Sequence, residues 1–393
     1  MDRTVLLHYR SVRLGLWATG VVLAAALGVW LQAPMDSSAA RMPAVQSTQG
    51  TPVRAKTLQR VAQGDVPNPD GAKAGHAASL VEMAPDDPAL LTLFWFSGER
   101  ESGPQVQIVA AQWLRATQAW TAPRTVVNRH AMGELLGHGI RRLGNPVAWR
   151  DAQGRMHLYV VATGGGGWAA ARILHLRQKG PSQALEQLQF EPERVLPLSW
   201  LWNTSFLVRN GPLPLDDGGM ALPVHFELGA KIPAVLRLDR EGRLVGMARV
   251  SSRDHVLQPA LLPLGPQHWL ALMRDESLKH RVAVAETTDG GRRWQDLPDL
   301  DLPNPDASVA AWSLGAGEHL LAYNPIESGR ERLDLARSHD GIHWQQQLAL
   351  RTGQVEDEFS YPALLWAEGS LWVAYTVDRA RLAWQRLAPQ ETP

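Results

Sequence analysis

Two short stretches constrain this chain more than any others: Thr287-Thr288-Asp289-Gly290-Gly291-Arg292-Arg293-Trp294 and Ser338-His339-Asp340-Gly341-Ile342-His343-Trp344. Both run hydroxyl residue, Asp, Gly, Trp, and the second has one residue fewer between Asp and Trp. Each has the makings of a β-hairpin turn. An Asp carboxylate accepts backbone N–H bonds within its own turn, Gly takes the positive φ of the reversal, and Trp folds back over the neighbouring strands. The two Trp residues stand 50 positions apart, a spacing that suits one four-stranded propeller blade per repeat.

The rest of the chain agrees. Short apolar runs such as Leu90–Phe96, Val106–Ala111, Met156–Ala162, Trp269–Met273, His319–Tyr323 and Leu371–Tyr375 recur between turn signals like Asp216-Asp217-Gly218-Gly219 and Ala367-Glu368-Gly369. From about residue 80 onward the only helical pattern lies around Ser182–Leu188. The stretch 33–78 is rich in Ala, Gln, Gly, Pro and Ser and reads as a flexible linker. Dividing the roughly 310 residues that remain by about 50 per blade gives six blades. The predicted fold class is all-β, a six-bladed β-propeller over 79–388 preceded by one N-terminal helix.

Composition narrows the partners. Lys+Arg and Asp+Glu both number 39, so no net charge points to nucleic acid. With no Cys, disulfides, thiolate metal sites and thiol catalysis are excluded. Sixteen Trp against six Phe and five Tyr supply large faces for packing between sheets, or platforms for sugar rings. No set of ligating side chains has a recognisable metal spacing, and no cofactor is expected.

The N-terminus carries a targeting signal. Leu14 to Leu31 contains no charged residue, and Arg3, Arg10 and Arg13 precede it. A helix over 14–32, after a basic cytoplasmic segment 1–13, is just long enough to span a bilayer. The arginines would hold its start on the cytoplasmic side, making the membrane a partner and the propeller extracytoplasmic, on the periplasmic side of a bacterial inner membrane. A signal peptide cleaved near Ser38-Ala39-Ala40 is the alternative, and it would release a secreted protein.

Several pieces, in order along the chain, resemble the bacterial BNR-repeat (Asp-box), sialidase-like family: Phe96-Ser97-Gly98-Glu99-Arg100-Glu101, Leu143-Gly144-Asn145-Pro146, Ser205 to Asn210, Leu257-Gln258-Pro259, Leu272-Met273-Arg274-Asp275, Asn304-Pro305, Asn324-Pro325 and Glu358-Phe359-Ser360-Tyr361-Pro362. The resemblance implies a six-bladed propeller and an exo-glycosidase acting on a terminal acidic sugar. Sialidases hold the sugar carboxylate with three arginines, whose planar forks match it in bidentate fashion. They attack with a Tyr, an exception to the usual pair of carboxylates.

Carried over by order, Arg100, Arg209 and Arg274 would bind the substrate and Tyr361 would be the nucleophile, with Glu358 or Glu227 accepting its proton. Between Arg100 and Asn145 there is no Asp to act as acid/base; Glu134, in the Gly-flanked segment 133–139, or His138 would substitute. His225 and Glu227 fall on one face of a strand, where they could line the central cavity. Two further readings stand beside the glycosidase: a non-catalytic propeller binding an acidic glycan in envelope polysaccharide assembly, and a uronic-acid polysaccharide lyase.

Overall fold

The computed structural model describes residues 17–24, 44–45, 57–101, 103–137, 139–180, 184–199 and 203–390. Six antiparallel sheets form the blades of a propeller, each ordered from the channel outwards. Blade I comprises Ala74–Glu82, Ala89–Gly98, Gln107–Leu114 and an outer edge split into Ala119–Trp120 and Arg124–Val127. Blade II comprises Arg142–Arg150, Met156–Thr163, Arg172–Gln178 and Phe190–Val195. Blade III starts with the short pieces Phe206–Val208 and Leu213–Pro214 and continues with Met220–Phe226, Ile232–Leu238 and Leu244–Arg249. Blades IV and V begin at Val256–Pro263 and Ala310–Gly315 and end at Gln295–Asp296 and Trp344–Thr352.

Blade VI closes the ring. Its inner strands are Phe359–Ala367, Ser370–Val377 and Arg381–Pro389, but its outer strand, Leu58–Val66, comes from the other end of the chain. The propeller therefore begins at Leu58 and not at residue 79, and part of the predicted 33–78 linker is strand. Polar residues hid it: an outermost strand faces solvent along most of its length, and Gln59, Arg60, Gln63 and Asp65 are what such an edge tolerates. Arg60 ties the closure sideways, donating to Gln385 Oε1 at 2.8 Å and to the carbonyls of Ala349 and Leu350 in blade V. Four tryptophans, Trp113, Trp120, Trp372 and Trp384, pack edge to face and stacked between blades I and VI, with centroids 4.7–6.2 Å apart. Four of the sixteen tryptophans thus serve the junction where the two chain ends meet.

The second strand of each blade is buried on both faces, which explains the unbroken apolar runs: Met156–Thr163 and Ser370–Val377 are buried throughout. Both Asp-Gly-Trp turns join third to fourth strands. In blade IV, Asp289 Oδ1 accepts the N–H groups of Arg292 and Arg293 at 3.0 and 2.9 Å, and Trp294 Nε1 donates to Gly291 O. In blade V, Asp340 Oδ1 accepts from Ile342 and His343 at 2.8 Å each, and Trp344 Nε1 donates to Gly341 O. The extra residue of the first turn is a glycine with φ 73°, so the longer loop keeps the same bonds.

The helix at 17–24 exposes Trp17, Val21, Val22 and Leu23. Among the described residues no helix is long and apolar enough to cross a membrane, and the rest of the predicted span 14–32 lies outside them. The segment 133–139, expected as a loop, is largely the end of a helix, Arg129–Leu136. Asn128 caps its start, and Gly137 ends it in a left-handed conformation. The helical expectation around Ser182–Leu188 reduces to a single turn, Leu185–Gln187, its first residues lying outside those described.

Candidate active site at the channel mouth

The inner strands all start at one end of the channel, which fixes where side chains can meet. Four of them bulge near this end, each around a residue with positive φ: Ala77 (62°), Asn145 (41°), Gln258 (55°) and Tyr361 (54°). The pairing register slips at each of the four sites, between His76 and Ser79, Gly144 and Val147, Leu257 and Ala260, and Ser360 and Ala363. Three of these residues precede Pro, in a backbone region that a non-Gly residue enters at a cost of about 1–3 kcal/mol. Bulges of this kind re-aim side chains. The turns with Asp289 and Asp340 sit at the opposite end, because third strands run away from the mouth.

Tyr361 is half-buried at this mouth, with its ring 4.2 Å from that of His76 and 4.8 Å from the Arg209 guanidinium carbon. Its hydroxyl oxygen accepts from Gln258 Nε2 at 3.3 Å, the hydroxyl's sole hydrogen bond among the described residues. Arg209 is only 3% exposed. It donates to Ala78 O at 3.2 Å and Pro362 O at 2.8 Å, carbonyls that two of the bulges turn into the channel. Burial without a carboxylate partner brings its pKa down to about 10, against the opposing influence of Tyr361. Arg209 therefore braces blades I and VI beneath Tyr361; its Nε is buried with no hydrogen-bond partner among the described residues, so burial rather than pairing keeps the guanidinium from a substrate. Below it the channel narrows to a cavity of about 100 Å³ lined by Ala78, Ala260, Ala310 and Pro362.

Charged side chains crowd around this centre. Arg274, at the end of a second strand, donates through Nε and Nη2 to both oxygens of Asp306 at 2.5 and 3.0 Å. Burial alone would lower its pKa, but Asp306 and the nearby Tyr361 raise it. Glu358 accepts from Arg330 Nη1 at 3.0 Å, Arg379 Nε at 2.8 Å and the Ser360 hydroxyl at 2.6 Å. Burial pushes its carboxyl up, yet Ser360 and the two arginines outweigh this and hold it at about 2. Arg379 also donates to Glu101 Oε2 at 2.9 Å. Glu227 accepts from His225 Nε2 at 3.0 Å; His225, Lys231 and Arg274 overcome the upward push of burial and keep the carboxyl below its ordinary range. His76, 3% exposed, is driven down to about 3 by burial and by Arg209, Arg379 and Arg330, against the pull of Glu358.

Of the residues singled out in the sequence, Tyr361, Arg209, Arg274, Glu227 and Glu358 converge on the mouth. Arg100 is exposed at the rim of the mouth, on the turn after the second strand Ala89–Gly98 and next to Glu101, and Glu134 is exposed on its helix. His138 lies outside the described residues. Neither Glu227 nor Glu358 is hydrogen-bonded to the Tyr361 hydroxyl. The amides of Asn304 and Asn324 are engaged internally, with Ala307 O and with the carbonyls of Arg332 and Phe359. Sequence reasoning gave no site role to His76, Gln258, Asp306, Arg330 or Arg379, although Leu257-Gln258-Pro259 is among the family-like pieces. Only Gln258 carried a signal, since Leu257-Gln258-Pro259 repeats the polar-or-aromatic-residue-before-Pro pattern of Asn145-Pro146 and Tyr361-Pro362.

A six-bladed propeller with a Tyr, arginines and carboxylates at one mouth of its channel defines the sialidase-like class of fold. Residues 89–373 match the model of the BNR repeat-like domain, and the chain belongs to that family. A Hadza microbial sialidase superposes with a TM-score of 0.67 at 17% identity, covering 83% of this chain and 68% of its own. A protein of unknown function from Dyadobacter fermentans gives 0.66 at 13% identity, covering 85% and 100%. The Trypanosoma rangeli sialidase in complex with sialic acid gives 0.62 at 12% identity, covering 90% and 58%. At these identities the likeness is one of fold. No curated protein matches the sequence.

Proposed function

We propose that this propeller binds the terminal acidic sugar of an extracytoplasmic glycan at the channel mouth and hydrolyses its glycosidic bond, with Tyr361 as the nucleophile. The observation that carries this reading is the placement of Tyr361, held by its bulge at the mouth, hydrogen-bonded at its oxygen to Gln258 and flanked by Arg209 and Arg274. Tyr361 Oη attacks the anomeric carbon as the bond to the aglycone oxygen breaks, the aglycone leaving as its oxyanion and taking a proton from solvent. Water then cleaves the glycosyl–tyrosine bond, and the released Tyr361 oxygen recovers its proton from the general base. Cations beneath and beside the ring favour the negative charge that develops on that oxygen. Glu227 takes the phenol proton, because among the described residues its side chain is bonded to His225 through one oxygen alone, while Glu358 is tied to Arg330, Arg379 and Ser360. Arg379 and Arg330 join Arg274 in holding the sugar carboxylate, in place of Arg100 and Arg209. Sialidases with this fold, one of them in complex with sialic acid, support the substrate class. The apolar stretch 14–32 and its preceding arginines support an extracytoplasmic location.

A second reading is a binding propeller without turnover. It is favoured by the state of the carboxyls: hydrogen bonds and nearby cations outweigh burial and hold Glu227 and Glu358 below the ordinary carboxylate range, so neither is poised as a protonated acid, and Glu101 and Asp306 are each ion-paired with an arginine. Aryl glycosides of sialic and uronic acids separate the two, since an aryloxide leaves without a proton. The chain must start before Leu58 to keep its closing strand. Hydrolysis of an aryl glycoside, lost in Tyr361→Phe and much slower for alkyl glycosides, supports the enzyme. Binding of acidic sugars with no turnover of any of them supports the second reading.

A further inference from the structure

Three ion-paired arginines of the mouth, Arg274, Arg330 and Arg379, are not held alike. Arg379 is the more exposed member of its pair: its side chain is 45% exposed, against 20% for Glu358 and 30% for Glu101. Those carboxylates lie beneath the guanidinium and present it outwards. Arg330 and Glu358 are about equally covered, at 16% and 20%. At Arg274 the order is reversed, with the arginine at 14% and Asp306 at 42%. Here the carboxylate sits on the solvent side. It takes the Nε and Nη2 donors together, the bidentate edge with which a guanidinium grips a planar carboxylate. The backbone sets this placement: Asp306 has φ 56°, and Arg330 Nη2 donates to its carbonyl at 2.6 Å, pinning the residue over the mouth.

We infer that Asp306 is an internal competitor for the substrate carboxylate: it caps Arg274 in the resting protein, and an acidic sugar must displace it to reach that arginine. The inference rests on the reading of the mouth as the glycan site and makes Asp306 its specificity-determining residue. A neutral sugar leaves the pair intact. An acidic sugar gives up part of its attraction to Arg274 in breaking it, so the resting mouth discriminates weakly between the two. Asp306 differs in sign from a brace. Removing a brace weakens binding of an acidic sugar; removing a competitor strengthens it.

The test uses the full-length protein, its Asp306→Asn variant, which keeps the side-chain size and the backbone contact to Arg330, and Asp306→Glu, which restores the charge. Phenylglyoxal modification followed by peptide mass spectrometry reads the cap without any sugar. Arg274 is expected to react several-fold faster in Asp306→Asn, and Arg379 at its wild-type rate. Calorimetry with methyl glycosides of N-acetylneuraminate, glucuronate and glucose reads the competition. The acidic sugars are expected to bind Asp306→Asn about tenfold more tightly than wild type, with glucoside affinity unchanged and Asp306→Glu close to wild type. An unchanged rate at Arg274 overturns the cap. Faster modification with equal or weaker binding of acidic sugars overturns the competition and makes Asp306 a brace. Faster modification with no sugar bound by any of the three chains refutes the glycan reading of the mouth, and the competitor role falls with it.

Discussion

At the residue scale, the mouth depends on one buried cation. Arg209 satisfies two bulge carbonyls and underlies the Tyr361 ring, so its role is to hold geometry. Arg209→Ala leaves both carbonyls without a donor and opens a cavity beside Tyr361. We expect a loss of about 2–4 kcal/mol in the urea-unfolding free energy, with Arg209→Lys recovering only part because it cannot reach both oxygens. Tyr361→Phe removes one oxygen from a half-buried position. Its expected effect on stability is within about 1 kcal/mol, so a loss of turnover in that variant would be chemical rather than structural.

At the element scale, the Asp turns and the Trp cluster are separable from the mouth. Asp289→Ala removes the acceptor for two backbone donors, and Asp340→Ala does the same in blade V. Each should cost about 1–2 kcal/mol by denaturant titration and leave sugar binding at the far end of the channel unchanged. Trp113 touches Trp120, Trp372 and Trp384 and is buried. Trp113→Ala should therefore cost about 3–5 kcal/mol and loosen blade VI from blade I, seen as faster amide exchange in Arg381–Pro389.

At the scale of the whole molecule, closure and acid sensitivity are the two properties to check. A chain starting after Val66 leaves Arg381–Pro389 as an open edge, and its melting temperature should fall while it aggregates on size exclusion. Acid sensitivity follows from buried imidazoles. In blade II, Asp151 Oδ2 bonds His157 Nε2 at 3.1 Å, and His157 Nδ1 bonds His175 Nε2 at 2.8 Å. Burial lowers His157 and His319, and takes His175 to about 2 and His76 to about 3, from an unfolded value of 6.5. The unfolded chain therefore binds more protons below pH 6.5. The stability these groups supply as neutral imidazoles is complete above that pH and falls as acid is added, by up to about 1.4 kcal/mol per pH unit for each. Glu358, depressed to about 2 from 4.5, adds a loss of the same sign below pH 4.5. Urea midpoints should fall steadily from pH 7 to pH 4, and His175→Gln should flatten the slope.

What the sequence determined by itself is whatever local chemistry repeats. The turns at Asp289 and Asp340 were legible because hydroxyl, Asp, Gly and Trp interact within a few residues. The blade count followed from their period, and Tyr361 and Arg274 were legible through resemblance. Tertiary structure alone decided the rest. Leu58–Val66 was invisible because an outer strand needs no apolar pattern, and its partner lies more than 300 residues away. His76, Asp306, Arg330 and Arg379 come from four separate loops or strand starts, each ordinary in sequence, that a closed ring of blades brings to one opening. Whether a paired arginine is a displayed fork or a capped one depends on which member of its pair lies nearer solvent, and Arg209 is a brace because it is buried with no carboxylate beside it. That order is a property of the ring and is written at no single position in the chain.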